Sequence, residues 1–195
     1  SAEDYQTFYN TFYVPNSACL VLACDLDPKT IRPVVERYFG DIPRGGEIPR
    51  NKVQEPPLAS EVRDVVYDNI QLPAVVQAYR IPAQGTPDFY AVDMLNHLLS
   101  NGNSSRLNKN VKDREQLALY VGAFSFPFEE PGLAIAFAIA NAGVSADSLE
   151  RAMDAEFKTV REVTVDFEEL NKLKAQLETE FVNDNSRVAG IAGNL

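Results

Sequence analysis

Tyr5, Phe8, Tyr9, Phe12 and Tyr13 recur at i, i+3, i+4, i+7 and i+8, a spacing that predicts an amphipathic helix with its aromatic rings on one face. A core is expected to receive them, although such a stripe also suits a ligand platform. Pro15 and Asn16 end this helix. The continuous apolar run 18–23 (ACLVLA) is too short for a buried helix and fits a central strand. Asp27 then caps a second helix, with Pro28 in its first turn and Ile31, Val34, Val35, Tyr38 and Phe39 as its apolar stripe, closed by Gly40. Asp25 and Asp27 look like an acidic pair for metal chemistry, but capping accounts for Asp27.

From residue 41 to 58 the periodicity vanishes and prolines cluster around Gly45-Gly46, the mark of an extended linker and a domain boundary. Beyond it, the alternation of residues 61–68 predicts a strand, and Ala74 to Ile81 predicts another, with Pro73 and Pro82 at its ends. Thr86 caps a helix reaching Ser100, whose predicted stripe is Tyr90, Ala91, Met94, Leu95 and Leu98. Ser104 or Ser105 opens a short helix through Leu107 and Val111. Residues 117–128 and 132–140 read as strands joined near Glu129-Glu130-Pro131-Gly132. Ser145 opens a helix with Leu149, Ala152, Met153, Phe157 and Val160 inward. Asp166 with Glu169 resembles a capping box for a last helix, with Leu170, Leu173, Leu177 and Phe181 inward. Strands followed by helices predict an α+β fold, an antiparallel-rich sheet with helices packed on one face.

Composition narrows the chemistry. At 195 residues, 45% hydrophobic and 24% charged, the chain has an ordinary globular make-up. A net charge of −10 without basic clusters argues against nucleic acid as a partner. No apolar stretch approaches the roughly 18 residues of a membrane span, and no signal peptide is expected ahead of Ser1. The sequence does not select among bacterial cytoplasm, periplasm and organelle matrix. Cys19 and Cys24 fall on opposite faces of the predicted strand, so they are expected to be buried thiols that do not bridge each other.

His97 is the chain's one histidine, set on the flank of a helical stripe beside Asn96 and Leu98. Catalytic zinc needs three protein ligands, and the helical form needs two histidines on one face, so no metal site is expected in this chain. A Ser-His-acid or Cys-His arrangement is equally out of reach. Gly45-Gly46 lacks the strand and lysine of a phosphate loop. Lys172 and Lys174 among Glu168, Glu169 and Glu178 read as a solvated helix face.

Three stretches carry a family likeness: the Tyr13, Pro15, Asn16 turn; the run ending Asp25-Leu26-Asp27-Pro28 before a helix that closes on Tyr38-Phe39-Gly40; and Asn101-Gly102-Asn103-Ser104-Ser105-Arg106-Leu107. Together they resemble insulinase/pitrilysin-type zinc peptidases and mitochondrial processing peptidases, over nearly the whole chain. The H-x-x-E-H metal signature of that family is absent. The resemblance implies a processing-peptidase-like half-domain. Residues 1–45 are then a helix-strand-helix unit from the end of the preceding half, 46–58 the linker, and 59–195 most of the non-metal-binding C-terminal half, truncated before its closing repeat. It also implies zinc in the full peptidase, a zinc-bearing half or subunit as partner, a peptide substrate, and no turnover by this chain alone. Residues 1–40 are expected to dock on the sheet of residues 60–195, within one chain or across a homodimer, in place of the missing repeat.

The resemblance further implies an Arg and a Tyr after the Ser-Arg-Leu helix that hold substrate backbone, a task for which a guanidinium fork and a phenol are suited. The ungapped positions hold Asp113 and Leu119, which cannot do this, while Arg114 and Tyr120 keep the mutual spacing one residue late. On a strand, a one-residue slip turns a side chain to the other face, so substrate binding by Arg114 and Tyr120 requires a local bulge. Arg106 reads as a structural helix residue. No catalytic residue is assigned. Two roles remain open: a non-metal-binding portion of a metalloendopeptidase that encloses and positions peptide, and an inactive homologue acting as a scaffold or docking subunit.

Overall fold

A computed structural model describes residues 1–50 and 56–195; the rest of the Pro-rich linker, 51–55, lies outside the described residues. They form two compact units, Ser1–Asp64 with Thr179–Leu195, and Val65–Glu178.

In the second unit, β1 (Ala74–Ile81), β2 (Ala118–Phe126) and β3 (Gly132–Ala140) form an antiparallel sheet in the order β1-β3-β2. The central strand carries the design. Along β3, Ala134, Ala136, Ala138 and Ala140 are buried on one face, and they alternate with Leu133, Ile135, Phe137 and Ile139 on the other. Small side chains let helices come close to the sheet. Onto the alanine face pack α3 (Pro87–Ser100) and α4 (Ala146–Glu162), through Leu99, Leu149 and Met153. A mid-length polar tie joins the layers, Gln77 Nε2 donating to Asp154 Oδ1 at 2.8 Å. The expected α+β architecture, with helices on one face, is what the chain adopts.

Caps fall where the sequence places them. Thr86 Oγ1 accepts from Phe89 N at 3.3 Å to start α3, and Ser145 Oγ accepts from Ser148 N at 3.2 Å to start α4. The predicted face of α3 is rotated, however. Phe89, Asn96, Leu98 and Leu99 are the buried residues, and Tyr90 is exposed. Asn96 belongs inside because its Nδ2 donates to Ser125 Oγ at 2.8 Å, which satisfies a polar group the apolar pattern could not count. After α4 comes α5 (Phe167–Asp184), with Leu173 buried and Phe181 exposed. Asp166 caps α5 by accepting from Glu168 N at 3.2 Å, but the expected box does not close, because Glu169 is engaged elsewhere.

The first unit holds α1 (Ala2–Phe12), a short 3₁₀ turn at Pro15–Ser17, α2 (Pro28–Phe39) and, near the C-terminus, α6 (Val188–Asn194). Asp27 caps α2 as expected, its Oδ1 accepting from Lys29 N at 2.8 Å. Asn16 clamps the chain where it enters the linker, accepting from Gly45 N and donating to the Gly46 carbonyl, each at 2.9 Å. Only glycine fits at position 45, since a Cβ there would lie 2.5 Å from Val14 Cγ1.

Three expectations fail in the extended segments and α1. Residues 18–23 and 61–68 are irregular rather than strands, with Leu20, Leu22, Val62 and Val66 exposed. A strand exists only as a member of a sheet, and among the described residues the ladder joins β1, β2 and β3 alone. Cys19 and Cys24 are consequently exposed free thiols instead of buried ones. On α1 and its C-cap, Tyr5, Phe8, Tyr9 and Tyr13 are exposed. The rings pack on each other, Phe8 against Phe12 at 4.8 Å and Tyr9 on Tyr13 at 5.0 Å between centroids.

Candidate functional site

The segment that carries Arg114 and Tyr120 has an unusual backbone from end to end. Gly102 takes a left-handed turn (φ 77°) past the end of α3, and the chain enters a helical turn whose continuation, Asn108–Arg114, is wound as a π-helix. The short helix expected from Ser104 or Ser105 is thus present in a wider form. Its two apolar residues, Leu107 and Val111, are almost fully buried against the sheet and α4. Glu115 N reaches back to the Asn110 carbonyl at 2.9 Å, the five-residue span of the π form, and Leu117 N to the Val111 carbonyl at 3.0 Å.

Gln116 then adopts φ 54°, left-handed backbone that is uncommon for a residue with a Cβ. Asn141 fixes this exit by donating from Nδ2 to the Gln116 carbonyl at 3.1 Å and from its backbone N to the Leu117 carbonyl at 2.8 Å. Immediately after, the ladder slips. Ala118 pairs with Ala140 and Tyr120 with Ile139, so Leu119 is an extra residue, a β-bulge. The bulge lets Ala118 and Val121 both face the core while Leu119 and Tyr120 both stay exposed.

Arg114 and Tyr120 therefore sit at the two ends of this irregular turn. Arg114 ends the π-helix, exposed, its Nη2 donating to Glu115 Oε1 at 2.9 Å. Tyr120 stacks on Phe137 with ring centroids 5.3 Å apart. Both groups are accessible donors. Asp113, the ungapped alternative to Arg114, is exposed, and Leu119 is the bulged residue itself.

Arg106 is a structural residue, as its sequence position suggested. It donates from Nε and Nη2 to the two carboxylate oxygens of Glu169, at 2.9 and 2.6 Å. These hydrogen bonds push the Glu169 carboxyl below its ordinary range and the Arg106 guanidinium above its own, with partial burial opposing both shifts. Lys172 on α5 donates to Ser104, so the helix face expected to be merely solvated also pins the 101–107 segment. The adjoining cleft, lined by His97, Asn101, Ser104 and Lys172, encloses about 10 Å³, no more than the room of one water.

His97 accepts from Asn101 Nδ2 at 3.1 Å, and its other nitrogen lies 3.8 Å from Asp93 Oδ2. Among the described residues no three His, Cys, Asp or Glu side chains converge in a way that could ligate a metal ion. The described residues do not fit zinc. Among the same residues, no helix is long and apolar enough to cross a membrane.

The Peptidase M16 inactive domain family matches residues 1–177. The zinc protease PqqE of Helicobacter pylori is 24% identical over 194 residues, covering 98% of this chain and 44% of that protein. A crystal structure of a protease from Helicobacter pylori superposes with a TM-score of 0.84 at 21% identity, over 99% of this chain and 48% of that one. The peptidase M16 inactive domain from Pseudomonas fluorescens superposes at 0.65 and 18% identity, over 87% of this chain and 40% of its own. The chain thus spans less than half the length of these relatives. The insulinase-type resemblance carried by the Pro15-Asn16 turn, Asp27-Pro28 and the Ser104–Leu107 motif is borne out by these matches, and the chain belongs to the Peptidase M16 inactive domain family.

Proposed function

We propose that this chain is the non-metal-binding portion of a zinc metalloendopeptidase, which encloses and positions a peptide while a separate half or subunit carries the zinc. The zinc belongs to that other half, since the donor set here does not suit it. The observation that carries the positioning role is the bulge at Leu119, which leaves Tyr120 exposed one residue later than an unbroken strand would place it. In this reading Tyr120 donates its hydroxyl to a substrate carbonyl, and Arg114 offers its guanidinium to the same backbone. Neither residue reacts. They act by holding the peptide in place, so their removal weakens binding and orientation together.

The Arg114–Glu115 pair favours a second reading, a catalytically silent scaffold or docking subunit, because a guanidinium tied to its neighbour is less free to meet substrate. The exposure of that pair limits its strength to under about 1 kcal/mol, which a substrate carbonyl can outcompete. Steady-state kinetics of the complete two-half protein separate the readings. Tyr120→Phe and Arg114→Ala each lower kcat/KM by about 10- to 100-fold if they hold substrate. Unchanged kinetics in both variants leave the scaffold reading.

A further inference from the structure

Opposite the helices, the sheet presents a face that is apolar and open. Register puts Val76 and Gly122 beside Phe137, Phe124 beside Ile135, and Phe126 beside Leu133. Tyr120, Phe137, Phe124 and Phe126 form a continuous aromatic ledge, with successive ring centroids 5.3, 6.0 and 5.1 Å apart. Gly122 gives the Phe137 ring room, since a Cβ there would lie 3.1 Å from Phe137 Cε1. Solvent reaches it: Tyr120 is 52% exposed, Phe126 45% and Phe124 39%.

From this ledge we infer that Phe124, Phe126 and Phe137 select substrate, taking apolar side chains spaced two apart along an extended peptide. The inference rests on the positioning role of Tyr120, since that residue is the ledge's first ring, and a peptide held at Tyr120 and running along β2 passes over the other three. From Tyr120 to Phe126 the strand rises about 20 Å, the length of about six extended residues. Side chains of an extended peptide that face one way recur at every second position, the same period as the rings on β2. The ledge has no charged member, so it offers burial to Leu, Phe or Val and nothing to an ionised side chain.

Fluorescence anisotropy with the complete two-half protein, its zinc chelated to prevent cleavage, tests this. The probes are a fluorescein-labelled octapeptide with leucine at alternate positions and a twin with serine there. The leucine peptide is expected to bind about 10-fold more tightly, and Phe124→Ser to erase most of that preference while changing serine-peptide binding less than about twofold. Phe124→Leu, which keeps the apolar surface, retains the preference; melting curves of both variants confirm that they are folded. Tyr120→Phe weakens both peptides alike. If Phe124→Ser removes the preference while Tyr120→Phe changes nothing, the ledge stands and the role of the Tyr120 hydroxyl fails. Equal binding of the twins by the unmodified protein overturns the inference, as does an equal loss for both in Phe124→Ser. Concentration-dependent self-association that Phe124→Ser abolishes with peptide binding unchanged also overturns it, since the face then serves a second copy.

Discussion

Arg106 grips Glu169 with two parallel hydrogen bonds, at 2.9 and 2.6 Å, between positions 63 residues apart in the chain. This pair fastens the turn that leads into the π-helix to the first turn of α5. The side chains are 15% and 30% exposed, so the bond is only partly screened by water.

The pair makes stability depend on pH in a defined direction. Because Glu169 ionises below its ordinary value of 4.5 in the folded protein, its contribution is fully present above that value. It is lost as pH falls through the lower, folded value. Glu169→Gln is therefore expected to cost about 1–2 kcal/mol at neutral pH in urea unfolding, with the difference from the unmodified protein shrinking as pH falls below 4.5. A gap that stays constant over that range contradicts the assignment.

Ala138 is fully buried at the centre of β3, where the helices lie on the alanine face. Ala138→Leu has no space to occupy and is expected to destabilise the protein by about 1–3 kcal/mol, read as a lowered midpoint in denaturant. The same change at Ala74, which is exposed on β1, is expected to cost less than about 0.5 kcal/mol.

Gln116 holds left-handed backbone between the π-helix and the bulge. Gln116→Gly relieves that conformation, so it should leave stability unchanged or raise it by up to about 1 kcal/mol. Glycine at an exposed helix position such as Ala155 should instead lower stability by about 0.5–1 kcal/mol. A loss at position 116 as large as at 155 would show that the turn needs its side chain more than its backbone freedom.

Cys19 and Cys24 are exposed on an irregular segment. Both are expected to react with iodoacetamide in the native chain as fast as in urea, followed by mass spectrometry of the peptides. Protection of either thiol until denaturant is added would mean that residues 18–23 are covered.

The sequence was most legible where one element's pattern agreed with its neighbour's. The strand 74–81, the capped helices from Thr86 and Ser145, and strand 132–140 were all readable from alternation, caps and prolines, because each pairs or packs within the second unit. The inward face of α4 was readable residue by residue, from Leu149 to Val160. What failed was context. Residues 18–23 have the composition of a strand, but composition supplies no neighbour to pair with. Asn96 is buried by its bond to Ser125, 29 residues away, which no local period reveals. At the candidate site, the family resemblance implied an Arg and a Tyr, and their spacing pointed to Arg114 and Tyr120 and demanded a bulge. The backbone has one, at Leu119, but nothing in the sequence foretold the π-helix or the left-handed Gln116 that accompany it.

On the proposed function, this chain holds peptide for a reaction whose metal ligands are on another half. Hydrolysis of a quenched fluorescent peptide by the separately prepared metal-bearing half, measured with and without this chain, tests it most directly. No turnover is expected from this chain alone, and an increase of about 10-fold or more over the metal-bearing half is expected when the two are combined, largely lost with Tyr120→Phe. Peptide hydrolysis by this chain alone, or a metal-bearing half whose rate is the same with and without it, would contradict the claim.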